Sequence, residues 1–158
     1  MSVNDDLPWI PQVVTLIQQA IAMNIPVLGH CLGGQLMTKA MGGFVTQGSI
    51  KELGWGKVYI IDDPIAKTWL GEITEFEAFH WHGETFSIPE KAVLLFSSPY
   101  CVNQAFAAGI HLAMQCHVEV TEEMVRSWST FNAEEITRNL SSTAVQTAQA
   151  MQERLPQR

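Results

Sequence analysis

With 158 residues, 47% of them hydrophobic, the chain has enough apolar material for one domain with a substantial core and does not read as a disordered tail. Sixteen acidic residues against nine basic ones leave a net charge of -7, the wrong sign for a nucleic-acid backbone or an anionic membrane surface, so neither is expected as a partner. The three cysteines, Cys31, Cys101 and Cys116, are an odd number with no CxxC pair, and the polar start from Met1 to Asp6 is no secretory signal, so reduced thiols in a cytoplasmic protein are expected.

In chain order, Ile10, Val13, Val14, Ile17 and Ile21 recur at three- and four-residue steps, with Pro11 where a first-turn proline is tolerated, which predicts an amphipathic helix. The short apolar run Ile25-Pro26-Val27-Leu28 ends at Gly29 and reads as a buried strand, and residues 33–41 read as a helix stopped by Gly42 and Gly43. Residues 55–61, 76–81, 92–96 and 110–116 are short, β-rich and separated by Gly, Pro, Asn or Ser, and predict a run of strands. Thr121 caps a helix that opens on Glu122 and Glu123. Residues 133–155 favour helix, and the polar tail 141–158 reads as a solvated helical end. With no repeat or linker, residues 1–158 form a single α/β domain by this reading.

The chemistry concentrates in Gly29-His30-Cys31-Leu32-Gly33-Gly34-Gln35. Small residues two before and two after a nucleophile, between a buried strand and a helix, make a tight elbow that lifts the side chain clear of the sheet. The helix N-terminus behind Cys31 is expected to favour its thiolate, and the Leu32 N–H to face a developing oxyanion. A free cysteine is more often a small buried hydrophobe. What changes the balance is Gln115-Cys116-His117-Val118-Glu119 at the end of the last strand. A thiol nucleophile needs an imidazole base and the base needs an orienting acceptor, and in extended chain His117 and Glu119 leave the same face.

These segments resemble the class I (triad-type) glutamine amidotransferases, especially the branch similar to the amidotransferase domain of GMP synthase. The elbow at 29–35 is similar to the family's cysteine motif, the segment Gly109 to Glu119 to its His-x-Glu motif, and His80-Trp81-His82-Gly83-Glu84 to the loop bordering its glutamine pocket. Together they span roughly residues 8–128. The resemblance implies a three-layer α/β sandwich with a mostly parallel, flavodoxin-like central sheet. It implies hydrolysis of the glutamine side-chain amide through a thioester at Cys31, with His117 as base and then acid and Glu119 as orienter. Leu32 is the implied oxyanion donor, Gly33, Gln35, His82 and Gly83 the implied glutamine contacts, and neither cofactor nor metal is assigned.

The chain also departs from the family pattern. Strands that usually precede the first helix, with a Gly-Gly loop supplying a second oxyanion donor, have no counterpart upstream of Cys31, so the domain reads as N-terminally truncated. Losing one oxyanion donor costs about 10²–10³ in rate, so weak or absent activity is one expectation, and an exposed sheet edge predicts a homodimer, strand exchange or a fragment of a longer product. Cys116 stands where an aromatic residue is usual and reads as packing. No nucleotide-binding loop is present, so an ammonia acceptor or synthetase would be a separate partner. A γ-glutamyl peptide hydrolase with the same triad and a non-catalytic scaffold are the alternatives. A metal enzyme using His80, His82, His117 and Glu119 is a further one, though it leaves the elbow unexplained.

Overall fold

A computed structural model describes residues 1–155. The helix predicted first is α1 (Trp9–Ala22); it buries Ile10 and packs Val13, Val14 and Ile17 against Leu36, Met37 and Phe106. Asn24, at a φ of 54°, turns the chain into β1 (Leu28–His30). Helix α2 (Leu32–Ala40) follows after one residue, then β2 (Val45–Ile60), α3 (Pro64–Leu70), β3 (Glu75–Phe86), β4 (Val93–Ser97), β5 (Ala105–Ala108) and β6 (His111–Met114). The chain continues through α4 (Glu122–Phe131), α5 (Ala133–Asn139) and α6 (Ala148–Glu153).

Strands β2 and β3 run well past their predicted lengths because they pair with each other from Val45↔Phe86 to Tyr59↔Glu75. The ladder shifts between Gln47 and Glu52, where β2 bulges opposite Gly83 and His82. Helix α3 escaped prediction, although Asp63 caps it by accepting the Ile65 N–H at 2.7 Å and Pro64 opens it.

The tail does not form the continuous helix expected over 133–155. It breaks between α5 and α6 because residues 144–146 pair with β2: Leu53 N–H donates to Ala144 O and Gln146 N–H to Leu53 O, both at 2.9 Å. Gln146 then accepts from Trp55 N–H and donates to Trp55 O, again at 2.9 Å each. Those bonds outweigh local helix preference. Gly54 sits beneath the Gln146 side chain at a φ of 122°, and a Cβ there would come within 2.4 Å of Gln146 Oε1. The expected solvated helix over 141–158 therefore forms only in part, as α6 with its Met151 buried, and residues 156–158 lie outside the described chain.

The six strands form one sheet in the order β1-β6-β5-β4-β2-β3. The α/β class stands, but the mostly parallel sheet does not: β1 and β6 pair in parallel and the other pairs are antiparallel. Between β5 and β6 a short connection imposes this, whereas β2 and β3 run antiparallel across a longer connection that holds α3. Gly109, at a φ of 60°, and Ile110 close a two-residue turn from β5 to β6, and parallel neighbours need a crossover of a dozen residues or so.

Both faces of the sheet are covered, as a three-layer sandwich requires. Along β5, Phe106 faces the α1–α2 side with Phe86 and Ala113, while Ala105 and Ala107 join Val58, Leu95, Phe96 and Ala66 of α3. A third cluster packs Val125, Ile136, Val145 and Met151 onto Leu53, Trp55 and Phe79. Burial of each large side chain here contributes about 1.5–3 kcal/mol. No described helix is long and apolar enough to cross a membrane.

Candidate active site

The elbow between β1 and α2 holds Cys31 at φ 47° and ψ -110°, a conformation that costs a non-glycine residue about 1–3 kcal/mol. Two glycines make it possible. A Cβ at Gly29 would lie 2.5 Å from the Gly33 carbonyl carbon, and one at Gly34 would lie 2.8 Å from Met114 O. A Cβ at Gly33 would meet nothing within 4 Å, so the steric need for small residues falls on positions 29 and 34 rather than 29 and 33.

Parallel pairing of His30 with Met114, and the Cys31 N–H donating to Met114 O at 2.7 Å, bring the elbow beside the segment that follows β6. His117 is fixed there by two backbone hydrogen bonds with Phe79, at 2.8 and 3.1 Å, and by the edge-on ring of Trp128, 5.0 Å away. Its Nδ1 lies 2.6 Å from Glu119 Oε1. The other carboxylate oxygen of Glu119 is 3.6 Å from His30 Nε2, so His30, next to the nucleophile in sequence, borders the His117–Glu119 pair.

Around the nucleophile, the Gln115 side-chain amide donates to Cys31 Sγ at 3.5 Å, and the thiol reaches Trp81 O at 3.8 Å. Cys31 and His117 share no hydrogen bond in this arrangement; such contacts commonly tighten only when substrate is bound. Burial pushes the Cys31 thiol up to about 11, against the opposing pull of the Leu32 N–H and the Gln115 amide. The helix N-terminus therefore does not produce the resting thiolate expected from sequence, because desolvation is the larger effect. Burial also lowers the His117 pKa despite the hydrogen bond from Glu119, while Glu119, though partly desolvated, is held below the ordinary carboxylate range by that same bond. The resting state is thus a neutral thiol beside a neutral imidazole.

A cavity of about 420 Å³ opens over Cys31, and Leu32, Gln35, His82 and Gly83 are among the residues that line it. Gly33, His117 and Glu119 are not among its lining residues. Gln35 is engaged by Gln115, to whose Oε1 its amide donates at 3.2 Å. His82 and Gly83 lie within β3 rather than in a loop, and the His82 ring nitrogens face Glu84 O and Glu52. Among the described residues, His80 and His82 do not converge with His117 and Glu119, so the four-ligand metal centre considered from sequence does not form. Cys116 is fully buried in the core, its thiol pushed up to about 12, which suits packing rather than reactivity.

Sequence reading missed one wall of this cavity. Lys51 Nζ lies 2.6 Å from Glu135 Oε1, and Trp81 Nε1 donates to Glu135 Oε2 at 3.1 Å. Nothing local marks either charge, since they stand 84 residues apart. Gln115 did carry a signal, as part of the segment that leads into His117.

A family model described as glutamine amidotransferase class-I matches residues 3–133. A solved glutamine amidotransferase from Methylobacillus flagellatus superposes with a TM-score of 0.93 at 44% identity, covering 98% of this chain and 64% of that one. The glutamine amidotransferase-like protein YfeJ of Salmonella typhimurium is 30% identical over 112 residues, which is 70% of this chain and 47% of that protein. The glutamine-hydrolysing GMP synthase of Herminiimonas arsenicoxydans is 29% identical over 132 residues, covering 76% of this chain and 23% of the synthase. The chain belongs to the class-I glutamine amidotransferase family. It spans less than two thirds of the length of each of these three proteins.

Proposed function

We propose that the chain hydrolyses the side-chain amide of glutamine, with Cys31 as nucleophile, His117 as base and acid, and Glu119 as its orienting carboxylate. The observation that carries this reading is the strained Cys31 elbow at the same end of the sheet as a His117–Glu119 pair 2.6 Å apart. Cys31 Sγ attacks the amide carbon as its proton passes to His117, and the Leu32 N–H stabilises the oxyanion. His117 returns the proton to the departing nitrogen, which leaves as ammonia, and a thioester remains on Cys31. Water, deprotonated by His117, then attacks the thioester and releases glutamate and the thiol. Gln35, Gly33 and the His82-Gly83 stretch are the glutamine contacts in this reading.

The chemistry calls on no cofactor. The ammonia goes to a separate synthetase or acceptor, and a cytoplasmic setting keeps the three unpaired thiols reduced. Strand β1 forms one edge of the sheet with Leu28 60% exposed, which favours pairing with a second copy. The decisive assay is release of glutamate and ammonia from glutamine by the unaltered chain and by Cys31→Ala. Equal release by both sinks the cysteine mechanism; cleavage of γ-glutamyl peptides with glutamine untouched reassigns the substrate.

A further inference from the structure

Glu52 of β2, His82 of β3 and Cys101 of the loop between β4 and β5 come together inside the protein, each less than a tenth exposed. One ligand atom from each lies within 4.8 Å of the other two. Around a tetrahedral zinc ion such atoms stand about 3.4–3.6 Å apart, so a small inward movement closes the site.

The hydrogen-bond polarity of His82 asks for a cation at this point. Its Nδ1 is 3.1 Å from Glu84 O, and a carbonyl only accepts, so Nδ1 carries a proton. Its Nε2 lies 3.1 Å from Glu52 Oε2. On a neutral ring that places two lone pairs face to face, with Gln104 Nε2 3.4 Å from the same ring nitrogen, and either a proton on Nε2 or a metal cation between the two groups resolves the conflict. An imidazole tethered to a carbonyl through one nitrogen, which leaves the other nitrogen to bind the ion, is also how metal-bound histidines are oriented. Glu52 is held in turn by Ser98 Oγ and Gln104 Nε2, both donating at 2.8 Å. Among the described residues, the ion-pair partners of Glu52 are His80 and His82, with no lysine or arginine in reach.

We propose that Glu52, His82 and Cys101 form a binding site for a divalent transition-metal ion of the zinc class. The sulfur, nitrogen and oxygen donors select such an ion over magnesium or calcium. Cys101 binds as thiolate and its proton leaves to solvent, so two anionic ligands and a divalent cation sum to zero charge, as a buried site requires. A cavity of about 180 Å³ touches both His82 and Cys101 and gives the ion a way in and a place for a fourth, water ligand. The ion ties the 98–103 loop to the β2–β3 ladder that carries the active-site wall.

The test uses the purified full chain, stripped with a chelator and titrated with Zn²⁺ against a chromophoric competitor, then with Co²⁺. The expected result is one equivalent bound and a thiolate-to-cobalt charge-transfer absorption. Cys101→Ser should abolish that absorption and weaken Zn²⁺ binding by more than the about 10–100-fold seen when only a ligand's outer partner is lost. Cys31→Ser should keep both signals. In the unaltered chain, Zn²⁺ should also slow alkylation of Cys101, mapped by peptide mass, at least about tenfold, as expected for a thiol held in a metal bond. Absence of stoichiometric binding, cobalt absorption that survives Cys101→Ser, or an unchanged Cys101 alkylation rate each overturns the proposal. None of these readouts involves glutamine, so they stand or fall apart from the glutaminase reading.

Discussion

Gln115 hands its side-chain amide to Cys31 Sγ at 3.5 Å while its own carbonyl accepts from Gln35 at 3.2 Å, so one fully buried residue joins the nucleophile to the cavity wall. Gln115→Leu removes a donor to the sulfur and leaves the Gln35 amide without its partner. The hydrogen bond to sulfur corresponds to about 0.5–1.5 kcal/mol, so kcat should fall roughly 3–10-fold, and the stranded amide should destabilise the fold by about 1–3 kcal/mol. Steady-state glutaminase kinetics and urea unfolding measure the two effects separately.

The elbow glycines should behave oppositely. Gly29→Ala drives a Cβ to 2.5 Å from the Gly33 backbone and should cost about 1–3 kcal/mol or more. Gly33→Ala meets open space in the first turn of α2, and should raise stability by up to about 1 kcal/mol through helix propensity. Urea midpoints of the two variants decide; equal losses in both would refute the packing account.

The pH dependence follows from the resting protonation states. The base must be neutral to accept the thiol proton, and burial lowers the His117 pKa, so activity should rise with pH through a midpoint below the ordinary imidazole value of about 6.5. Glu119 pulls that pKa upward, so Glu119→Gln should move the His117 titration, followed by NMR, further down. It should also reduce kcat by on the order of 10⁴, as loss of the orienting carboxylate does in other triads.

A thiol pushed up to about 11 reacts slowly at neutral pH. Alkylation of Cys31 in the absence of glutamine should accelerate well beyond the ordinary thiol range of about 8.5 before it levels off. A plateau reached near neutrality would show a resting thiolate instead.

The exposed β1 edge should support self-association, and Leu28→Lys should block it by placing a charge on that edge. Light scattering is expected to give a dimer for the unaltered chain and a monomer for the variant. A monomer in both cases removes the edge argument.

The parts of the site that were legible in the sequence are those built from near neighbours. The Cys31 elbow depends on adjacent glycines after a short apolar run, and His117 and Glu119 are two residues apart; the run reads as a buried strand but leads into the sheet edge β1, with Ile25 and Leu28 exposed. Lys51 and Glu135 meet through tertiary packing and leave no local trace, and the same holds for Glu52, Gln104 and Cys101. Strand β5 reads Ala-Phe-Ala-Ala, a composition with little strand preference, and is a strand because β4 and β6 pair with it on both sides. The mostly parallel sheet was implied by the family resemblance and not by the residues, since hydrophobic pattern marks where strands lie but not which way they run; only the two-residue β5–β6 connection settles a direction locally. The mismatch over the thiol is one of magnitude: a helix terminus is visible in sequence, whereas the depth of burial that outweighs it is not.

The two backbone hydrogen bonds that hold His117 come from Phe79, and Phe79 packs with Val145 and Met151, whose segment docks on β2 through Gln146. The turn that shapes the nucleophile is encoded early in the chain, and the support for its base is encoded late. A ribosome therefore releases Cys31 and its glycines long before Met114, which braces the turn, and longer still before the residues that steady its proton acceptor, so a half-made chain carries the thiol without the means to activate it.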